Sequence, residues 1–258
     1  MKKALFYTVI MLAIQCGLGS AVLLIWALVT GQKPDVTNNS MIVVTTVVDL
    51  LIMILFLALK WAEVSPRWIR TRPWAVLCWC VLASLGLLLP SIWLQELMPE
   101  LPNVAEEALV GLVSSPWGYV AIGIMAPLAE ELVFRGAVLR ALLQWRPDNH
   151  WLGIAVSAAL FALVHMNPAQ MPHAFLIGLL LGWMYYRTGS IIPGVVYHWV
   201  NNSVVFAAGH IMLSVGWDVD NMKLADLFGS QTTVLMAVGC SLLIFLPSLF
   251  QLHLRLKK

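Results

Sequence analysis

Two adjacent glutamates and an arginine interrupt a strongly apolar stretch of this sequence. Glu130 and Glu131 are neighbours, and Arg135 follows Glu131 by four residues, which places those two side chains on one helical face. A charge at the centre of a membrane helix costs roughly 2.5–3.5 kcal/mol, so such residues mark a functional site by default. We expect Glu131 and Arg135 to form a buried ion pair. Glu130 points away from that pair and is suited to proton transfer.

Histidines and an asparagine in later apolar segments are the candidate partners of these charges. His165 follows Phe161 by four residues, and Asn202 follows His198 by four. A neutral histidine exchanges protons or binds metal, and an amide N–H stabilises a developing oxyanion. Together the residues indicate hydrolysis. Either Glu130, His165 and His198 hold a metal that activates water, or Glu130 activates water unaided.

The elements that must bring these residues together are predicted to be membrane helices. The chain has 258 residues, of which 60% are hydrophobic and 11% charged, whereas a soluble domain has about 25% charged residues. Apolar runs of about 20 residues predict an all-α, polytopic bundle of about eight transmembrane helices. The predicted spans are residues 4–30, 41–60, 74–95, 117–143, 151–167, 172–188, 191–214 and 232–251. The fifth and sixth are short and are expected to lie partly inside the protein.

The distribution of lysine and arginine predicts the orientation of the bundle. With alternating spans, only Lys33 and Lys223 fall on one side of the membrane, and the other side carries twelve basic residues. Positive charge is retained in the cytoplasm, so both termini are predicted to be cytoplasmic. The twelve residues are Lys2, Lys3, Lys60, Arg67, Arg70, Arg72, Arg140, Arg146, Arg187, Arg255, Lys257 and Lys258.

The order E-E-x-x-x-R, F-x-x-x-H and H-x-x-x-N resembles the CPBP family of intramembrane proteases. This family includes the type II CAAX prenyl endopeptidases and the bacteriocin-processing or immunity (Abi) proteins. Every motif position matches, within roughly residues 115–210. The resemblance implies three parts, namely N-terminal transmembrane helices with a surface loop (1–114), a catalytic core (115–214), and a C-terminal loop and helix (215–258). Within the first part, residues 104–113 have the apolar pattern of a short amphipathic surface helix, and a substrate-facing lid is the alternative.

The resemblance also implies a role for each motif residue. Glu130 would activate water with the help of His165. Glu131 and Arg135 would position the site, and the pair His198 and Asn202 would stabilise the oxyanion. A divalent metal such as zinc stays an open alternative, because members of the family are described both as metalloproteases and as glutamate-dependent enzymes.

The favoured function is an intramembrane endopeptidase that cuts a membrane-associated, prenylated or leader-type peptide. The alternatives are a non-catalytic immunity or scaffold protein of the same fold, and a proton-coupled transporter. The sequence shows no internal repeat, which disfavours a transporter. The expected partners are membrane lipid and a peptide or protein substrate. Nucleic acid is not expected, because the basic residues form no stripe. Size and family indicate a bacterial cytoplasmic membrane.

Three other observations bear on the geometry. The predicted span ends place His165 near the outer end of its helix and His198 near the inner end of its own, roughly 15 Å apart in depth. Tilted or broken helices must therefore bring them together. Asp49, alone in the second span, is expected to bond a neighbouring helix. His173 lies near the start of the sixth span and is expected to be a loop residue.

Overall fold

The computed structural model describes residues 1–35, 39–65, 74–217 and 222–256. Within these ranges the regular secondary structure is entirely helical, which confirms the predicted all-α membrane bundle. The long helices are α1 (Lys2–Thr30), α2 (Ser40–Ala58), α3 (Trp74–Glu96), α5 (residues 120–145), α6 (His150–Leu163), α7 (Met171–Thr188), α8 (Ile192–Ser214) and α10 (Gln231–Arg255). Two short helices join them, α4 (Glu106–Ser114) and α9 (Leu224–Phe228).

Each of the eight predicted spans corresponds to one long helix. Four of these helices, α1, α2, α3 and α10, are long and apolar enough to cross a membrane by themselves. Of the other four, α5 and α8 carry motif residues, α6 carries Phe161 and is short, and α7 contacts Arg135 through the backbone oxygen of Gly178. Polar side chains on these four helices need partners inside the protein, because hydrocarbon offers them none. The helices of weakest membrane character are therefore those that form the site.

Two groups of helices share the core. One apolar cluster joins α1, α2, α5, α6 and α7, and it contains Phe56, Phe134 and Ile154. A second cluster joins α3, α7, α8 and α10 through Cys80, Leu181 and neighbouring apolar residues. The segment α5 contacts both α2 and α8, so it runs between the two groups. Its charged residues are thereby enclosed on several sides.

The loop after α3 contains the predicted amphipathic helix, observed as α4. Glu106 and Glu107 lie in its first turn, where negative charge complements the helix dipole. Leu112 is buried and packs with Ile42 and Ala121. The backbone oxygen of Val113 lies 2.7 Å from the Nδ1 of His210 on α8. These contacts fasten α4 to the bundle.

The model leaves two predictions untested. The sidedness of the termini stays a prediction, and five of the twelve basic residues behind it lie outside the described residues: Arg67, Arg70, Arg72, Lys257 and Lys258. The three-part division at residues 114 and 214 also stays a prediction.

Close approach of α3 and α10 predicts that Gly86→Ala destabilises the bundle. A Cβ at Gly86 would lie 2.6 Å from the backbone nitrogen of Phe245, which cannot move without shifting α10. Overpacking of this kind typically costs about 1–3 kcal/mol. We expect a lower melting temperature in detergent. Gly239→Ala on α10, with nothing within 4 Å of its Cβ, should leave the melting temperature unchanged or raise it. Equal melting temperatures for the two variants would contradict the described packing.

Candidate active site

The glutamate motif lies between two π-helical turns of α5. The helix runs from a π turn (Val120–Met125) through an α segment (Ala126–Val133) into a second π turn (Phe134–Leu139) and a last α segment (Arg140–Trp145). A π turn shifts hydrogen bonding from i+4 to i+5 and frequently occurs at functional sites. It also displaces carbonyl groups from the regular ladder, which makes them accessible to other donors.

Neighbouring elements donate to carbonyls of these turns. The Nδ2 of Asn202 donates to Ile122 (3.0 Å), and the hydroxyl of Ser157 donates to Phe134 (3.3 Å). The backbone N–H of Glu63 donates to Gly136 (3.3 Å). The two π turns thus connect α5 to α8, α6 and the segment after α2, on both sides of the glutamates.

Glu131 and Arg135 form the ion pair that their spacing predicts. Arg135 Nη1 donates to Glu131 Oε1 at 2.7 Å, and the side chains are 0% (Glu131) and 1% (Arg135) exposed. Arg135 Nη2 also donates to the backbone oxygen of Gly178 on α7 (3.3 Å). The guanidinium carbon lies 4.6 Å from the ring centroid of Phe161 on α6, a cation–π contact. The pair therefore joins three helices at one point.

His198 is held between the two glutamates. Its Nδ1 lies 3.2 Å from Glu131 Oε1, and its Nε2 lies 3.7 Å from Glu130 Oε2. An ionised carboxylate only accepts hydrogen bonds, so Nδ1 is the donor to Glu131. The buried pair thereby fixes the orientation of the imidazole and directs the other nitrogen toward Glu130.

The two glutamates differ in access to water. Glu131 is completely buried, whereas the side chain of Glu130 is 19% exposed. Arg135 bonds Glu131 and makes no ion pair with Glu130. Glu130 is consequently the carboxylate that a water molecule can reach.

His165 and His198 both pack against the ring of Phe161. The ring centroid of Phe161 is 5.0 Å from that of His165 and 5.9 Å from that of His198, both edge-on. The Nδ1 of His165 is 2.8 Å from the backbone oxygen of Phe161. Since a carbonyl only accepts, Nδ1 carries the proton and Nε2 is left as an acceptor.

Helix α6 is shorter than the predicted fifth span, and the predicted depth difference between the histidines stays a prediction. Asn149 caps its start, with the side chain accepting from the N–H of Leu152 (3.0 Å). The helix ends at Leu163, four residues before the predicted span end, and Met166 adopts a positive φ of 49°. Its 14 residues extend about 21 Å, and His165 follows shortly after its last turn.

Asn202 serves as a connection between helices. Besides its bond to Ile122, its Oδ1 accepts from the Nδ2 of Asn201 at 3.3 Å. The amide nitrogen has two N–H groups, and the bond to Ile122 uses one of them.

The predicted metal set finds no support in the geometry. Among the residues that the model describes, no group of three or more histidine, cysteine, aspartate or glutamate side chains is placed to hold a metal ion. The metal site stays a prediction, and no step below depends on it.

Sequence reasoning gave no site role to two residues that the structure places near the motif residues. Asp49 on α2 is 6% exposed, its Oδ2 has no hydrogen-bond partner in the described residues, and its charge interacts with that of Glu130. His173 lies in the first turn of α7, not in a loop, and interacts electrostatically with His165 and His198. For Asp49, the sequence did contain a signal that could have indicated a site role, namely a single carboxylate in an apolar span.

Part of the chain resembles proteins that are already known. Residues 112–204 match the family model described as "Type II CAAX prenyl endopeptidase Rce1-like". All three motifs fall within this range, which confirms the resemblance predicted from them. Residues 112–204, somewhat over a third of the chain, are thus similar to this group of the CPBP family of intramembrane proteases.

Two curated proteins also resemble part of the chain. One is an "Uncharacterized 24.3 kDa protein" of Escherichia coli, 32% identical over 82 residues, which are 31% of this chain and 38% of that protein. The other is "UPF0177 protein YxdF" of Lactococcus lactis subsp. lactis (strain IL1403), which is 30% identical over 78 residues. These residues are 30% of this chain and 41% of that protein. The matched segment thus spans about two fifths of each relative. No solved structure matches the chain.

The buried ion pair predicts a large stability loss for Arg135→Leu. Removing one partner leaves Glu131 as an uncompensated buried charge, which typically costs about 3–5 kcal/mol. Thermal unfolding in detergent measures this loss. Arg146→Leu is the control, because its pair with Asp148 is exposed and is worth at most about 1 kcal/mol. Similar melting temperatures for both variants would argue against a buried pair.

A second prediction concerns Gly194, in the first turn of α8. A Cβ there would lie 2.5 Å from Glu131 Oε2, so Gly194→Ala should displace the glutamate and the histidine bonded to it. The imidazole signals of His198 in NMR spectra should shift, and the melting temperature should fall. Gly17→Ala, where nothing lies within 4 Å, should do neither. Unchanged His198 signals in Gly194→Ala would contradict this contact.

Proposed function

We propose that this protein is an intramembrane endopeptidase that hydrolyses a peptide bond with Glu130, His165, His198 and Asn202. The observation that carries the proposal is the 3.7 Å separation of Glu130 from His198. A water-accessible carboxylate faces an imidazole whose other nitrogen is held by a fully buried ion pair. A structural ion-pair network needs no exposed carboxylate, whereas water activation does.

In the proposed reaction, Glu130 removes a proton from water while the water oxygen bonds to the scissile carbonyl carbon. The Nε2 of His165 is an acceptor that orients the same water. A tetrahedral oxyanion results. Glu130 then returns the proton to the amide nitrogen, the C–N bond breaks, and a carboxylic acid and an amine leave. Atoms and charges balance, with water as the co-reactant.

Two groups support the oxyanion in this scheme. Asn202 donates its second N–H, and its bond to Ile122 (3.0 Å) prevents rotation of the amide. His198 as an imidazolium donates from both nitrogens, with Nδ1 to Glu131 and Nε2 to the oxyanion. Donors fixed before the reaction contribute most, since no reorganisation is needed as charge develops.

The substrate class follows from the location of the site and from the family. The motif residues lie among membrane helices, so we propose a membrane-associated peptide, of the prenylated or leader type. The family model is named for prenyl endopeptidases, which favours a lipid-modified peptide. We further propose that the protein lies in a bacterial cytoplasmic membrane with both termini in the cytoplasm.

The metal alternative can be tested directly. A metal bound by Glu130, His165 and His198 would supply Lewis-acid activation of water. Activity that is lost with a chelator and restored by zinc would support it. Activity that is insensitive to chelators would support Glu130 as the base acting alone.

Glu130→Ala is predicted to abolish cleavage. The test uses purified protein in proteoliposomes, with a farnesylated peptide and with membrane-anchored leader peptides, and detects products by mass spectrometry. Loss of general-base catalysis should lower the rate by about 10²–10⁴-fold. Glu107→Ala on the exposed helix α4 is the matched control and should cleave normally.

Retention of full cleavage by a folded Glu130→Ala variant would end the endopeptidase assignment. If a cellular phenotype survives both Glu130→Gln and His165→Ala, the immunity or scaffold alternative gains support. Proton-dependent uptake into vesicles would instead support a transporter.

A further inference from the structure

An apolar groove lies on the side of the bundle formed by α3, α7 and α10. Its volume is about 600 Å³, within the range of ligand sites. Apart from Ser91 and His253 its walls are apolar, and the hydroxyl of Ser91 already bonds the backbone oxygen of Leu88 (2.8 Å). The residues that line it are Leu87, Pro90, Ser91, Leu94, Trp151, Leu176, Ile177, Leu179, Leu180, Trp183, Phe245, Leu249 and His253.

The groove exists because the surrounding helices pack unequally. Helices α3 and α10 lie very close at Gly86 and Phe245, and α7 packs extensively on α6. By contrast, α7 contacts α3 only sparsely. Pro90 interrupts the hydrogen bonds of α3 within the groove wall. A gap between two tightly packed helix pairs is the result.

The location of the groove indicates an apolar occupant. Two of its three main walls, α3 and α10, are membrane-length apolar helices. The groove therefore faces hydrocarbon, and a flexible acyl chain fits its elongated apolar walls.

One end of the groove is polar and basic. The His253 and Trp183 rings are stacked there, 6.4 Å apart at 2°. Arg187 donates from Nε to the backbone oxygen of Leu256 (2.7 Å) and from Nη2 to that of His253 (2.9 Å). These bonds use two of the five guanidinium N–H groups, so three N–H groups of Arg187 remain. Such an end complements a phosphate group.

We propose that this groove binds one acyl chain of an anionic phospholipid, with the phosphate at Arg187 and His253. Binding would fill the gap between α7 and α10. It would also steady Gly178 on α7, which accepts from Arg135 and lies between the groove residues Ile177 and Leu179. Lipid binding itself is independent of the proposed hydrolysis.

The test measures lipid retention by the delipidated full-length protein in detergent. Phosphatidylglycerol and phosphatidylcholine with identical acyl chains are titrated, and bound lipid is counted by native mass spectrometry alongside the melting temperature. One basic contact near a membrane surface corresponds to about fivefold in affinity, so phosphatidylglycerol should bind at least about fivefold more tightly. It should also raise the melting temperature more.

Two substitutions locate the site. Leu180→Trp should fill the groove and abolish lipid retention. If this variant does not fold, Leu176→Trp at the more exposed rim of the groove replaces it, with the same expected loss of retention. The control is Leu243→Trp, a 74% exposed position of α10 that does not line the groove. Wild-type retention by a folded groove variant would overturn the proposed site.

A third substitution tests the headgroup contact. Arg187→Gln should remove the preference for phosphatidylglycerol while the chain still binds, and Arg187→Lys should restore part of it. An unchanged preference in Arg187→Gln, or equal binding of both lipids by the wild type, would overturn the anionic-headgroup assignment.

Discussion

Enclosure of the Glu131–Arg135 pair is the constraint on which the architecture of the site depends. With exposures of 0% and 1%, neither charge can be solvated by water, so the protein must supply every compensating contact. The backbone oxygen of Gly178, the ring of Phe161 and the imidazole of His198 provide such contacts. Glu131 Oε2 and Arg135 Nε, in contrast, have no hydrogen-bond partner among the described residues. Because these groups come from α7, α6 and α8, one ion pair on α5 fixes where three other helices must meet.

The π turns of α5 stabilise this contact between helices. In a regular α-helix the carbonyls of Ile122, Phe134 and Gly136 would be used within the helix. Here they accept from other elements on both sides of the glutamates. The division between a buried, paired Glu131 and a more exposed Glu130 follows from this anchoring. The neighbouring side chains of Glu130 and Glu131 therefore have different surroundings, because these contacts fix the rotation of α5 about its axis.

Much of this arrangement could be predicted from residue types and spacing. The cost of placing a charge in hydrocarbon identified Glu130, Glu131 and Arg135 as site residues. The four-residue spacing of Glu131 and Arg135 predicted their ion pair. Apolar length gave the eight long helices. The π turns have no such signature, because they depend on donors such as Ser157 that lie far along the chain. The proximity of Asp49 and His173 to the site likewise arises from packing between helices, which periodicity within one helix does not report.

The brevity of α6 has a consequence for the surrounding lipid. A helix of about 21 Å is shorter than the roughly 30 Å hydrocarbon layer, and such hydrophobic mismatch is relieved by local thinning of the bilayer. The membrane–water boundary would then dip toward the end of α6, where His165 lies. An extended peptide at that boundary could enter sideways, with its backbone hydrated up to the point of contact. This depression would place the hydrated peptide backbone and its apolar lipid anchor at the same depth as the site.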